Sequence, residues 1–214
     1  MHQILVYSDS LTWGIIPDTR KRLPFDQRWP GVLENQLNQQ SNNVRVIENC
    51  LNGRRSVWND PYKEGRDGSQ GLAQVIEINS PLELVLIMLG TNDFQSSHNN
   101  NAWQSAQGIA CLLNIIRQAP IEPGMPTPDI MLVAPPPIIK PKGVIANKFL
   151  GAEKRCVDFA KELHTVAEQG SAHFFDAGSV VDASEIDGIH LDAPQHCLLG
   201  EALAKAVGEF ISFK

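Results

Sequence analysis

A chain of 214 residues with 43% hydrophobic and 20% charged residues has the balance of an ordinary soluble globular protein, and one domain over 1–214 suits its length. A net charge of -6 argues against nucleic acid or an anionic membrane as partner, since both call for a clustered basic face. The longest apolar run, 84–89, is far too short to cross a bilayer.

The first apolar run, 4–7, reads as a strand and begins at once, with no secretory signal ahead of it, so a cytoplasmic protein is expected. It leads into the polar turn Ser8-Asp9-Ser10-Leu11-Thr12-Trp13-Gly14. Further strands are expected at 44–47, 84–89, 130–134 and 173–175. Helices are expected near 30–39, 71–78, 102–118, 149–169 and 194–213. Strand and helix alternate throughout, which predicts a three-layer α/β/α sandwich around a five-stranded parallel sheet. Run 84–89 is apolar without alternation, as a central strand should be, whereas Val44-Arg45-Val46 alternates and suits an edge. The flavodoxin-like order 2-1-3-4-5 follows as the simplest topology. Asp192 and Gln195 have capping-box spacing before the last helix, with Pro194 in its first turn. Gly170 stands where a C′ residue ends the fourth helix.

Segments after the strands all emerge on one edge of a parallel sheet. Here they are 8–29, 49–69, 90–101, 135–148 and 176–193, longer than usual connections. The polar motifs lie in them. Cys50, Cys111, Cys156 and Cys197 are too widely and irregularly spaced for a zinc or redox motif and are expected as free thiols.

Ser10, in a strand-to-helix turn, has an N-cap role as its bland explanation. Asp187-Gly188-Ile189-His190, before the last helix, adds a carboxylate and an imidazole on the same edge. Acyl transfer needs such a base for a serine, an acid to orient the base, and donors aimed at an oxyanion. Asp176 is the rival acid, though capping its own loop suits it better. Asp9 reads as structural, because its charge beside the nucleophile would oppose an oxyanion. Asn52-Gly53 is a turn whose glycine lets a backbone N–H approach a ligand. Gly90-Thr91-Asn92-Asp93 ends the most buried strand, and Asn92 offers an amide donor.

Taken together these blocks resemble the SGNH (GDSL-type) esterase and lipase superfamily over nearly the whole chain. The matches are Ser8-Asp9-Ser10-Leu11, Leu51-Asn52-Gly53, Gly90-Thr91-Asn92-Asp93 and Asp187-Gly188-Ile189-His190. Ser10-Leu11-Thr12-Trp13-Gly14, Arg28-Trp29, Pro135-Pro136-Pro137 and Phe174-Phe175-Asp176-Ala177-Gly178-Ser179 are similar to the bacterial arylesterase branch, some of whose members transfer acyl groups to alcohols. The resemblance implies a serine esterase for small ester substrates with Ser10, Asp187 and His190 as triad. It implies an oxyanion hole from the N–H groups of Ser10 and Gly53 and the side chain of Asn92, and neither metal nor organic cofactor. Ser8 departs from the glycine usual in the first block. Arg54-Arg55, beside the expected hole, reads as a solvated surface or interface pair rather than a selector of acidic substrates.

An apolar, aromatic-lined cleft is expected from Trp13, Ile15, Trp29, Trp58, Ile138 and Ile189, with Ile16, Phe25, Tyr62 and Ile139 as further loop residues. Loops this long and apolar also suggest a homo-oligomer. A carbohydrate O-deacetylase is the alternative within the superfamily. A non-catalytic flavodoxin-like ligand-binding protein is the alternative of another class.

Overall fold

The computed structural model describes residues 1–39 and 42–211. Its five strands are β1 (His2–Ser8), β2 (Val44–Cys50), β3 (Leu84–Met88), β4 (Asp129–Ala134) and β5 (His173–Asp176). They pair in parallel in the expected order β2-β1-β3-β4-β5. Seven α-helices lie among the described residues: α1 (Ser10–Trp13), α2 (Trp29–Gln39), α3 (Leu72–Asn79), α4 (Ala102–Arg117), α5 (Ala152–Arg155), α6 (Phe159–Gln169) and α7 (Ala193–Phe210). None of these helices is long and apolar enough to cross a membrane.

Both faces of the sheet are buried, so the strands are apolar at successive positions. Leu5, Tyr7, Val85, Ile87 and Leu132 pack with Leu72 and Ile76 of α3, Ile109 and Leu112 of α4, and Leu163 of α6. On the opposite face Ile4, Val6, Leu86, Met88 and Val133 meet Trp29 and Leu33 of α2 and Leu199 and Leu203 of α7. Glycine lets α2 and α7 approach closely: a Cβ on Gly200 would lie 2.7 Å from the Trp29 carbonyl oxygen.

The register decides what the sheet can present. Ser8 stands level with Met88 on one side and Cys50 on the other. The turns that follow β1, β2 and β3 therefore leave the sheet at the same height. The four cysteines are free thiols.

Local chemistry changes three expectations. The span 149–169 is two helices, not one, with Asp158 between them in the left-handed region (φ 66°). The break delivers Phe159 edge-on to Phe94, ring centroids 5.2 Å apart, where it also closes on Gly90. Asp192 occupies the N-cap of α7, but its side chain caps nothing and instead accepts from Ser184 Oγ at 3.1 Å. Gly170 keeps φ -88°, and Ser171 takes the positive φ after α6. Crowding accounts for the glycine, since a Cβ there would lie 2.9 Å from Leu113 Cδ1. The last predicted helix runs to Phe210, and positions 212–213 fall outside the described residues.

Candidate active site

Ser10 opens α1, directly after the N-cap Asp9, whose Oδ1 accepts from the Leu11 N–H at 3.0 Å. Four polar groups in a chain fasten this short helix to the sheet. Trp29 Nε1 donates to Thr12 Oγ1 (3.1 Å), Thr12 Oγ1 donates to Ser8 Oγ (2.6 Å), and Ser8 Oγ donates to the Met88 carbonyl (2.6 Å). Ser8, the residue that departs from glycine, thus adds the link between the serine turn and the end of β3. All three side chains are fully buried, so each bond replaces one that water cannot supply.

His190 reaches Ser10 from the loop after β5. Its Nε2 lies 3.1 Å from Ser10 Oγ and its Nδ1 2.6 Å from Asp187 Oδ2. An ionised carboxylate only accepts, so Nδ1 carries the proton and Nε2 is free to accept from the serine hydroxyl. The Asp187 Oδ1 atom takes the backbone N–H groups of Ile189 and His190, each at 2.9 Å. Burial pushes the Asp187 carboxyl up, but the His190 hydrogen bond and charge and the two N–H donors outweigh it and hold its pKa below the usual value. Gly188 is required in this turn: it sits at φ 79°, and a Cβ would strike the Lys140 carbonyl at 2.5 Å. The loop after β4 clamps it, with Ile139 N–H donating to Gly188 O and Lys142 N–H to Asp187 O.

Gly53 lies at φ 85° in the turn after β2, with room for a Cβ, so its backbone angle is what demands glycine. Asn92 lies in the 3-10 turn Thr91–Phe94 after β3. Its Nδ2 donates to Asp9 Oδ2 at 2.8 Å, and its Oδ1 accepts from Gln95 Nε2 at 2.6 Å. Gln95 Oε1 in turn accepts from Arg55 Nη2 at 2.6 Å. Because a guanidinium can only donate, this sequence orients both amides: the Gln95 nitrogen must face Asn92, and the Asn92 nitrogen must face Asp9. One N–H of that nitrogen remains for the cleft. Burial pushes the Asp9 carboxyl up to about 6, against the opposing pull of Leu11 N–H, His190, Asn92 and Arg54.

Asp93 ties two loops together beneath this turn, accepting from Ser56 N–H (2.9 Å), Ser56 Oγ (2.6 Å) and Ser105 Oγ (2.7 Å). Arg54 and Arg55 are buried, contrary to the surface pair expected. The Arg54 guanidinium stacks 3.9 Å over Tyr7 and donates to the Ser8 and Asn49 carbonyls, while Arg55 faces Gln95 and lies 3.5 Å from Asp60. Each finds acceptors inside the loops, which a charged group needs before it can leave water.

A cleft of about 250 Å³ lies over these residues, and Ser10, Gly53, Asn92, Asp187 and His190 all line it. Its apolar wall is Ile15, Val144, Ile145 and Phe149; its charged wall is Asp18, Arg20, Lys63 and Lys148. Of the expected wall residues only Ile15 is present. Trp29 is wholly buried between α2, α7 and the sheet. Trp13 lies under the Arg22 guanidinium, 4.8 Å from its ring centroid. Trp58 tilts against His98, ring centroids 6.1 Å apart. Ile138 lines a different cavity beside Pro137 and Cys156, and Ile189 belongs to the core. Ile16, Phe25, Tyr62 and Ile139 are also outside the cleft lining. The rival acid Asp176 does cap its own loop, accepting from the Gly178 N–H at 2.9 Å.

A hydroxyl, an imidazole and a buried carboxylate in line, with donors from two neighbouring turns, can run acyl transfer. The sequence matches the GDSL-like lipase/acylhydrolase family over residues 9–196. The chain belongs to that family. Its chemistry is the hydrolysis of carboxylic esters. The fold agrees closely with a carbohydrate acetylesterase from Sinorhizobium meliloti, at 31% identity and a TM-score of 0.92 over 99% of this chain and 100% of that one. The inhibitor-bound aryl esterase of M. smegmatis is 32% identical, with a TM-score of 0.92 over 99% of this chain and 100% of that one. Among proteins with curated descriptions, none matches the chain.

Proposed function

We propose that this acylhydrolase is a serine esterase for short-chain acyl esters, with Ser10 as nucleophile, His190 as general base and acid, and Asp187 as the orienting acid. The observation that carries the reading is the continuous hydrogen-bonded line from Asp187 through His190 to Ser10 Oγ. His190 Nε2 takes the Ser10 proton as Oγ attacks the ester carbonyl. The oxyanion is held by the N–H groups of Ser10 and Gly53 and by the second N–H of Asn92 Nδ2. The proton then passes from His190 to the leaving alkoxide, the ester C–O bond breaks, and an alcohol departs. Water repeats the sequence on the acyl-enzyme and releases the acid, or an added alcohol takes the acyl group instead.

The small cleft and its short apolar wall of Ile15, Ile145 and Phe149 favour a short acyl group. A polar alcohol portion, as in an acetylated carbohydrate, is the second reading. It is favoured by the remaining wall of Asp18, Thr19, Arg20, Asn52, Lys63 and Lys148, which an aryl alcohol would leave without apolar contact. Ser10→Ala should abolish fluorophosphonate labelling and p-nitrophenyl acetate hydrolysis while the melting temperature stays close to that of the parent. Retained hydrolysis in that variant would sink the assignment.

A further inference from the structure

The acidic chain, at -6 overall, concentrates cations at one place. Arg20, Lys63 and Lys148 line the cleft itself, and Arg66 lies against its floor, where a Cβ on Gly53 would be 3.8 Å from Arg66 Cδ. Arg66 is committed: its Nε donates to Asn52 O and its Nη1 to Glu64 O. Arg55 is committed to Gln95. The other three are not. Among the described residues, neither Arg20 nor Lys63 has a carboxylate within ion-pair distance, and Lys148 Nζ reaches Asp60 Oδ2 only at 3.9 Å. Asp60 is already taken, since its Oδ1 accepts from Tyr62 N–H and its Oδ2 lies 3.5 Å from Arg55. The cleft's own carboxylates are Asp18, which lies against Gly143, and Asp187, which is spent on His190.

The three cations also work against one another. Partial burial lowers the pKa of Lys63, and the positive charges of Arg66 and Arg20 lower it further against the weaker pull of Asp60. Burial does the same to Lys148, where Arg55, Lys63 and Arg66 add their repulsion against the pull of Asp60. Gathering like charges costs folding free energy unless something of opposite sign arrives, and a cleft with low-dielectric walls focuses that field on whatever enters. The neighbouring nucleophile makes the substrate the natural visitor.

We propose that Arg20, Lys63 and Lys148 form an anion-binding subsite at the mouth of the cleft that selects esters carrying a carboxylate or comparable anionic group close to the scissile carbonyl. The inference deepens the esterase reading and rests on it. The anionic group takes no part in bond breaking; it is held by charge while the acyl group passes to Ser10 and then to water. The same recognition serves an acid on the alcohol portion or on the acyl portion, and paired substrates separate the two. Para-acetoxybenzoate against its methyl ester tests the alcohol side. The mono-p-nitrophenyl ester of succinate against p-nitrophenyl butyrate tests the acyl side.

The measured quantity is the ratio of kcat/KM for the acidic ester to that for its neutral partner. Exposed ion pairs contribute roughly 2- to 5-fold each, so the triple variant Arg20→Gln, Lys63→Gln, Lys148→Gln should lower the ratio about 10-fold or more. Lys63→Glu alone should lower it further than Lys63→Gln. Raising the salt should erode the ratio in the parent and leave the triple variant nearly indifferent. Whichever pair shows the larger drop identifies the side of the ester that bears the acid. A ratio unchanged in both pairs, with normal fluorophosphonate labelling and normal turnover of the neutral esters, overturns the subsite and leaves the esterase reading standing. Absence of both labelling and turnover in the parent overturns the two together.

Discussion

Replacing Gln95 separates the geometry of Asn92, the proposed oxyanion donor, from the stability of the fold. Its side chain, 1% exposed, joins Arg55 to Asn92 through two hydrogen bonds of 2.6 Å. Gln95→Leu removes both, one of them charge-assisted, and strips an acceptor from a guanidinium whose Nε and Nη1 already lack partners. Stability should fall by about 2–4 kcal/mol. Asn92 would keep only its bond to Asp9, and kcat should fall about 10-fold, short of the roughly 100- to 1,000-fold loss expected when an oxyanion donor is deleted outright. Gln95→Glu is the sharper test. A carboxylate still satisfies Arg55, so the melting temperature should stay near that of the parent. It has no donor for Asn92 Oδ1, however, and two acceptors would face each other at 2.6 Å. Asn92 must turn or withdraw, which misdirects its N–H. At alkaline pH, Gln95→Glu should therefore lose about 100-fold in kcat, approaching Asn92→Ala, with KM changed by no more than about 2-fold. Steady-state kinetics on p-nitrophenyl acetate, paired with thermal unfolding, supply both readings. A stable Gln95→Glu enzyme with parental kcat, or one whose loss lies in KM, would show that Gln95 does not position Asn92.

The acid of the triad is tested by Asp187→Asn beside Asp176→Asn: the first should lower kcat by about 10,000-fold through the wrong imidazole tautomer, and the second should leave it within about 2-fold. Equal losses would refute the assignment. Asp9 makes a pH prediction whose sign is fixed by its raised pKa. Below its ordinary 3.8 the carboxyl is protonated folded or unfolded, and between there and about 6 only the folded chain keeps the proton. Stability from this group is thus complete at low pH and lost as pH rises through about 6, by roughly 3 kcal/mol in all. Asp9→Asn lacks that loss, so its stability relative to the parent should climb by about 2 kcal/mol from pH ~4 to ~7; a constant difference across that range would refute it.

The sheet was legible because burial on both faces leaves a blunt signal. Apolar runs without alternation, such as 84–89, can only be covered strands, and the alternating 44–46 marks the edge that β2 occupies. The break between α5 and α6 was not legible, because 149–169 has no proline and its pattern stays amphipathic through Asp158. What opens the helix is a distant contact, Phe159 against Phe94 and Gly90, and local propensity carries no record of it. Asp192 misled in the same way. Its spacing fits a capping box, but Ser184 competes for its carboxylate from the loop that also positions His190.

The site divides along the same line. Ser10, Gly53 and Asn92 could be located because each sits in a polar turn just beyond a strand, and the strand register brings those turns together; Asp187 and His190, deep in the long loop after β5, could be located by their spacing just before the last helix. The cleft walls could not, because long loops fold by tertiary contacts that leave no period. Trp29 and Ile138 look like pocket walls only when apolarity is equated with contact to substrate; both go to the packing that holds the loops up. Arginine misled in the opposite direction. Arg54 and Arg55, read as surface, are interior struts because five donors on a planar group can satisfy several loop carbonyls and side chains at once. With those two positions filled by internal bonds, it falls to Arg20, Lys63 and Lys148 to set the field that an incoming ester meets. The serine turn and the loop arginines thus share one design: Ser8 and Arg54 anchor the Ser10 turn from either side, through the Met88 carbonyl and through Ser8's own. The residue that departs from the family's glycine is therefore a fixed point of the site rather than a blemish in it.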